Sequence, residues 1–229
     1  MKKRQIWNLW SNIFLLCLEI AGLILLFVLP INIWDHEVYY GWRVFQFYTT
    51  DSNLLLLIAT TLCIIYQLLL YKKKINKIPE ATIFFKLIST ACTTLTMMSV
   101  LVFIPFADVF NFGPRANLFL NSNLFYHLLC PLTGVVIFLL FENQSNIKLK
   151  LLPISIIPTV IYSIFYLSIS LTHVLPNGTI PEEYDWYGLS VLGIQFAAIP
   201  VILAIGFTFL FAWCLWIGNK KINVFKNKN

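Results

Sequence analysis

Charge is scarce in this sequence. Lys, Arg, Asp and Glu make up 11% of its 229 residues, against 59% hydrophobic residues, whereas ordinary globular chains carry roughly 25% charged residues. A water-soluble domain cannot hide that much apolar surface, so the expected solvent is lipid. Cysteine is also sparse: Cys17, Cys63, Cys92, Cys130 and Cys214 are odd in number and all lie in apolar runs. That argues against a disulfide framework, and without CxxC or Cys/His spacing neither a metal site nor another cofactor is expected. There is no soluble stretch between the apolar runs and no repeat of about 20 to 50 residues. Nor is there an inverted pair of broken helices, which weighs against a secondary transporter. The net charge of +6 would elsewhere suggest nucleic acid. Here the charges sit in short segments between apolar runs and read as topology determinants, so no nucleic-acid partner is expected.

What is present is apolar length. Runs able to cross about 30 Å of hydrocarbon lie near 11–31, 47–71, 83–106, 120–141, 151–172 and 189–217. The expected fold is an all-α, six-transmembrane-helix bundle forming one domain over 1–229. The first run follows Met-Lys-Lys-Arg as a signal peptide would, but it extends to Ile31, carries Glu19 and lacks a small-x-small cleavage site, so it reads as a retained first span. Orientation follows from the basic residues. Lys2, Lys3 and Arg4 precede span one, and Lys72, Lys73, Lys74, Lys77 and Lys86 are assigned to the loop after span two. Lys148 and Lys150 follow span four, and Lys220, Lys221, Lys226 and Lys228 follow span six. Fourteen basic residues thus fall on one side, against Arg43 and Arg115 on the other. Basic loops stay cytoplasmic, which predicts both termini inside, N-in/C-in. Trp34, Asp35, His36 and Glu37, and Glu182, Glu183, Asp185 and Trp186, then fall outside.

Polar groups at membrane depth are costly and mark candidate sites. One cluster, Thr49-Thr50-Asp51-Ser52-Asn53, opens span two; Thr49, Ser52 and Asn53 lie at i, i+3 and i+4 on one helical face, with Thr50 and Asp51 pointing elsewhere. The other is in span four, where Asn123, Tyr126, His127, Cys130, Pro131 and Gly134 make one continuous stripe. Both clusters occupy the outer halves of their spans and can meet at one depth. A neutral His beside a hydroxyl is a candidate base and nucleophile, with Asp51, Ser52, Asn53, Asn123 or Tyr126 to orient the ring or an oxyanion. Interhelical hydrogen bonding alone would use the same residue types. Glu19 is an intramembrane carboxylate to which the sequence assigns no partner, Gln67 or a Thr of span three being candidates, with a structural and a proton-linked role both open; Ser89, Thr93 and Thr96 read as a helix-packing stripe, and Glu142 is expected to be solvated at the interface.

The span-two segment Phe47 to Leu55, of the form Phe-Tyr-Thr-x-x-Ser-Asn-Leu-Leu, and the span-four segment His127 to Leu132, His-x-x-x-Pro-Leu, resemble bacterial six-span relatives of the androgen-induced integral membrane protein family. Eukaryotic members of that family are transmembrane threonine hydrolases of fatty acid esters of hydroxy fatty acids. The resemblance implies a bacterial plasma-membrane location and a membrane lipid or lipid-ester substrate. It also implies a catalytic pair made of His127 and a span-two threonine. Counting back from Asn53 selects Thr50; aligning the aromatic pair selects Thr49, which also shares its face with Ser52 and Asn53. Where family members carry a Tyr-Pro-Tyr-like patch before span six, this chain reads Thr179 to Trp186, so the loop over the substrate differs. A non-enzymatic six-helix carrier, or the substrate-binding subunit of a transporter, has the same size and span count.

Overall fold

Apolar segments of this length find no water in a bilayer, so each must satisfy its backbone internally, and a helix does this within one segment. The computed structural model describes residues 3–29, 31–34, 37–39, 41–107, 119–142, 147–181, 183–187 and 193–226. Among the described residues there are six helices long and apolar enough to cross a membrane: Arg4–Val28, Tyr48–Tyr71, Glu80–Val102, Ser122–Leu140, Leu149–Thr172 and Ile194–Asn223. These are spans one to six of the expected bundle. Span one starts seven residues earlier than its apolar run suggests, because helix Lys3–Val28 takes in the segment carrying Trp7 and Trp10. It also ends sooner. Ile31–Trp34 (β1) and Glu37–Tyr39 (β2) instead form an antiparallel ribbon that pairs Ile31 with Tyr39 and Asn32 with Val38. Lys2, Asp35, His36, Arg115, Glu182, Lys228 and the expected start of span six near 189 lie outside the described residues.

Span three is the centre of the bundle, with 67% of its apolar window buried against 44% or less elsewhere. Ile161, Ile164, Ile202 and Leu203 of spans five and six are exposed and face the lipid side. Span one meets span four closely at Gly22, where an added Cβ would stand 2.6 Å from Cε1 of Tyr126. Span five begins as a tight 3-10 segment, Leu149–Ile156, around Pro153, and becomes α-helical at Ile157 with Pro158 in its first turn. Proline is compatible with that first turn because the missing N–H has no helical acceptor there.

Two charged residues depart from the sequence expectation. Lys86 is no loop residue: it sits in span three and is completely buried. Its ammonium donates to Thr60 Oγ1 of span two, and its four-carbon stem is long enough to bury while the charge reaches a polar partner. Glu142 is likewise fully buried instead of solvated. Its carboxylate accepts from Asn8 Nδ2 (3.4 Å) and Asn12 Nδ2 (3.2 Å) of span one, and its carbonyl accepts from Asn219 Nδ2 (3.0 Å), Asn223 Nδ2 (3.3 Å) and Arg4 Nη2 (3.3 Å). Arg4 also donates to Asn223 Oδ1. The start of span one and the end of span six therefore meet on one face of the bundle.

Candidate functional site

The first turn of a helix exposes N–H groups that need acceptors. Span two opens at Phe47, which is extended and provides no side-chain cap. The hydroxyl of Tyr187 instead accepts from Tyr48 N–H (2.9 Å), while the N–H groups of Thr50 and Asp51 reach the Phe47 carbonyl (3.0 and 3.2 Å). The loop segment carrying Trp186 and Tyr187 is thus fixed over the threonines. Tyr166 and Tyr162 hold it from span five: Tyr166 donates to Asp185 Oδ1 (2.5 Å), and Trp186 Nε1 donates to the Tyr162 hydroxyl (3.0 Å). Below it, the hydroxyls of Tyr48, Thr159 and Thr208 form a chain at 2.8 and 2.9 Å that joins spans two, five and six.

Ser52 and Asn53 face inward as their spacing suggested, and both are buried. Ser52 Oγ donates to the Thr49 carbonyl (3.1 Å) and lies 3.3 Å from Thr96 Oγ1 of span three. Asn53 Nδ2 donates both to the Thr49 carbonyl (2.8 Å) and, across the bundle, to the Tyr126 carbonyl (3.1 Å). Thr50, off the face that Thr49 shares with Ser52 and Asn53, is nevertheless 3% exposed, and Thr49 is half-buried. Val44 and Phe47, just before this turn, are buried as well. Asp51 is half-buried and acts electrostatically on Tyr162 and Tyr187, on the side of span five and the loop.

The geometry of span four follows from Pro131. A proline has no N–H and crowds the carbonyl four residues earlier, here His127. The helix widens to a π turn over Phe125–Leu129, and the Cys130 N–H returns to the Phe125 carbonyl five residues back. In that register the next donor would be Pro131, which has none, so the Tyr126 carbonyl is left for Asn53. His127 sits at the centre of the π turn and is buried, as is Asn123 one turn earlier. Local π turns recur at functional sites. The Tyr126 side chain packs on Gly22 of span one; its backbone, not its phenol, is what meets the span-two cluster. A groove of about 490 Å³ lined by Trp7, Trp10, Phe14, Leu132 and Phe141 opens toward the other end of spans one and four and contains none of these polar residues.

A second polar constellation runs through the interior. Glu19 of span one is fully buried, and neither carboxylate oxygen has a hydrogen-bond partner. Gln67, one of the candidate partners, does not bond it, since both side-chain polar atoms of Gln67 are themselves unpartnered. The charge that acts on Glu19 is Lys86, and the Cys130 thiol lies beside it. Lys86 also interacts with Glu142 and Cys63. The sequence did carry a signal for Lys86: it stands three residues before Ser89, extending the Ser89, Thr93, Thr96 face by one turn. That face is largely self-satisfied, with Ser89 donating to the Lys86 carbonyl (3.1 Å) and Thr93 to the Ser89 carbonyl (3.2 Å). Among the described residues no group of three or more His, Cys, Asp or Glu is placed to hold a metal ion. Compared with protein-family models, curated proteins and solved structures, the chain matches none.

Proposed function

We propose that this membrane protein is an intramembrane hydrolase of a lipid ester, in which a span-two threonine, Thr49 or Thr50, is the nucleophile and His127 the general base. One observation carries the reading: Asn53 bonds the Thr49 carbonyl and the Tyr126 carbonyl at once, so the threonine turn is held against the π turn that bears His127. The motif resemblance supports the same pair. The threonine hydroxyl attacks the ester carbonyl and passes its proton to His127; the protonated ring then donates that proton to the departing alcohol. Water, deprotonated by His127, cleaves the acyl-threonine and restores both groups. Ser52 and Asn53 are the polar groups nearest in sequence for stabilising the oxyanion. We place both ends in the cytoplasm of a bacterial plasma membrane. Without Lys86 the basic count is still thirteen against two, and the meeting of Arg4 with Asn223 supports a common side for the ends.

The test is acyl-ester turnover by the full chain in detergent, with labelling by a fluorophosphonate probe. Wild type hydrolyses and labels. His127→Ala loses both by at least about 100-fold, within the usual range for general-base catalysis. Thr49→Val and Thr50→Val identify the nucleophile by which one abolishes labelling; turnover unchanged in His127→Ala, or in both threonine variants, overturns the mechanism. The buried charges of Glu19, Lys86 and Glu142 favour a second reading, a non-enzymatic carrier, since intramembrane ionisable groups commonly line ion or proton paths.

A further inference from the structure

Glu19 and Lys86 are charged side chains with unfilled hydrogen-bonding capacity inside one bundle. Both are completely buried. An ionised carboxylate offers about four acceptor sites, and an ammonium three donors. Neither oxygen of Glu19 is bonded; Lys86 spends one donor on Thr60 Oγ1, which itself donates to the Leu56 carbonyl (2.7 Å). Among the described residues the ion pair formed is the exposed Lys77–Glu80 contact (3.4 Å), so no salt bridge joins Lys86 to Glu19 or to Glu142. The Thr90 hydroxyl, one helical turn beyond Lys86, is also buried and unpartnered. Acceptors on span one and donors on span three are therefore coupled electrostatically without touching.

Buried polar groups of this kind are normally satisfied by ordered water, and a water needs two to four such partners. An isolated carboxylate in hydrocarbon ordinarily resolves its cost by taking up a proton or pairing with a cation. We propose that Glu19 and Lys86 flank an internal hydrated site that binds and exchanges one proton, with Glu19 as the acceptor. The groups facing Glu19 are Lys86 from span three and Cys130 and Tyr126 from span four; those facing Lys86 are Cys63 and Thr60 from span two and Glu142 from the end of span four. The balance is simple. With the proton on Glu19, the charges of Lys86 and Glu142 compensate each other. When the proton leaves to water as hydronium, the interior gains one negative charge, and Arg4, beside Glu142, is the further cation on this axis. The proposal does not depend on the role of Thr49, Thr50 or His127.

The experiment is infrared difference spectroscopy of the full chain in lipid films, stepped in pH and repeated in D2O. Wild type is expected to show the carbonyl stretch of a protonated carboxyl that titrates and shifts on deuteration. The band is read in the Glu142→Gln background, which removes the other fully buried carboxyl of this interior; there Glu19→Gln removes it. Lys86→Met keeps the band but moves its midpoint about tenfold in proton concentration, because a neighbouring charge is lost. If either single substitution fails to fold, the charge-balanced double variant Glu19→Gln/Lys86→Met replaces it and is expected to lack the band. A band that persists without Glu19, in the single or the double variant, overturns the assignment, and so does a wild-type protein with no titrating carboxyl band.

Discussion

Asn53 donates to the backbone carbonyl of Tyr126 across 3.1 Å, and this bond ties span two to span four inside the bundle. Its removal by Asn53→Leu leaves a buried acceptor unpaired, at a cost of roughly 1–3 kcal/mol. The expected outcome is a lowered melting temperature in detergent.

Pro131 creates the need that Asn53 meets. Pro131→Ala restores an N–H within reach of the span-four carbonyls, so it competes with the Asn53 amide. In a double-mutant cycle the loss caused by Asn53→Leu is expected to shrink by about 0.5 kcal/mol or more in the Pro131→Ala background, the size usual for residues sharing a partner. Equal losses in both backgrounds would separate the two residues. Hydrolysis of the ester is expected to fall in Pro131→Ala, since closing the π turn rotates His127 relative to span two.

Gly22 allows spans one and four to approach. A Cβ there would meet Tyr126 Cε1 at 2.6 Å and Phe125 Cβ at 3.0 Å. Gly22→Val is expected to destabilise by about 1–3 kcal/mol, the usual cost of overpacking. Tyr126→Ala in the same chain removes the ring and recovers part of that loss, as read by thermal melts of the single and double variants.

Glu142 gives a pH dependence. Burial raises its pKa above the ordinary 4.5, opposed by the charge of Lys86, the amides of Asn12 and Asn8, and Arg4. A carboxyl whose folded pKa exceeds its unfolded one contributes stability that is complete below the unfolded value and is lost as pH rises through the folded value. Wild-type melting temperature is expected to fall as pH climbs from 4.5, by no more than about 1.4 kcal/mol per unit for this group. Glu142→Gln flattens that dependence, which is measured as the difference between the two melting curves.

Much of this architecture is written locally. The length of each apolar run is enough to locate a span, and the i, i+3, i+4 spacing of Thr49, Ser52 and Asn53 places two of the three on the inner face. The burial of Thr50 was not legible, because helical spacing describes one face and enclosure on another depends on neighbouring elements. Lys86 and Glu142 fail for a related reason. A tally of charges along the chain treats every lysine near a span end as solvated. Burial of Lys86 requires Thr60 from another helix, and burial of Glu142 requires Asn8 and Asn12, 134 and 130 residues earlier in the chain. The π turn has a local cause in Pro131, but the use of its spare carbonyl is decided by span two.

The bonds around Glu142 also order the assembly of the protein in time. Arg4, Asn8 and Asn12 enter the membrane first, and their partner on span four is made later; Asn219 and Asn223, which complete the shell around the Glu142 carbonyl, come last. During synthesis span one therefore holds polar groups that wait for spans four and six. A chain halted before span six leaves the Glu142 carbonyl without its two asparagine donors. That half-closed polar end is the kind of feature by which a membrane quality-control protease can tell an unfinished bundle from a finished one.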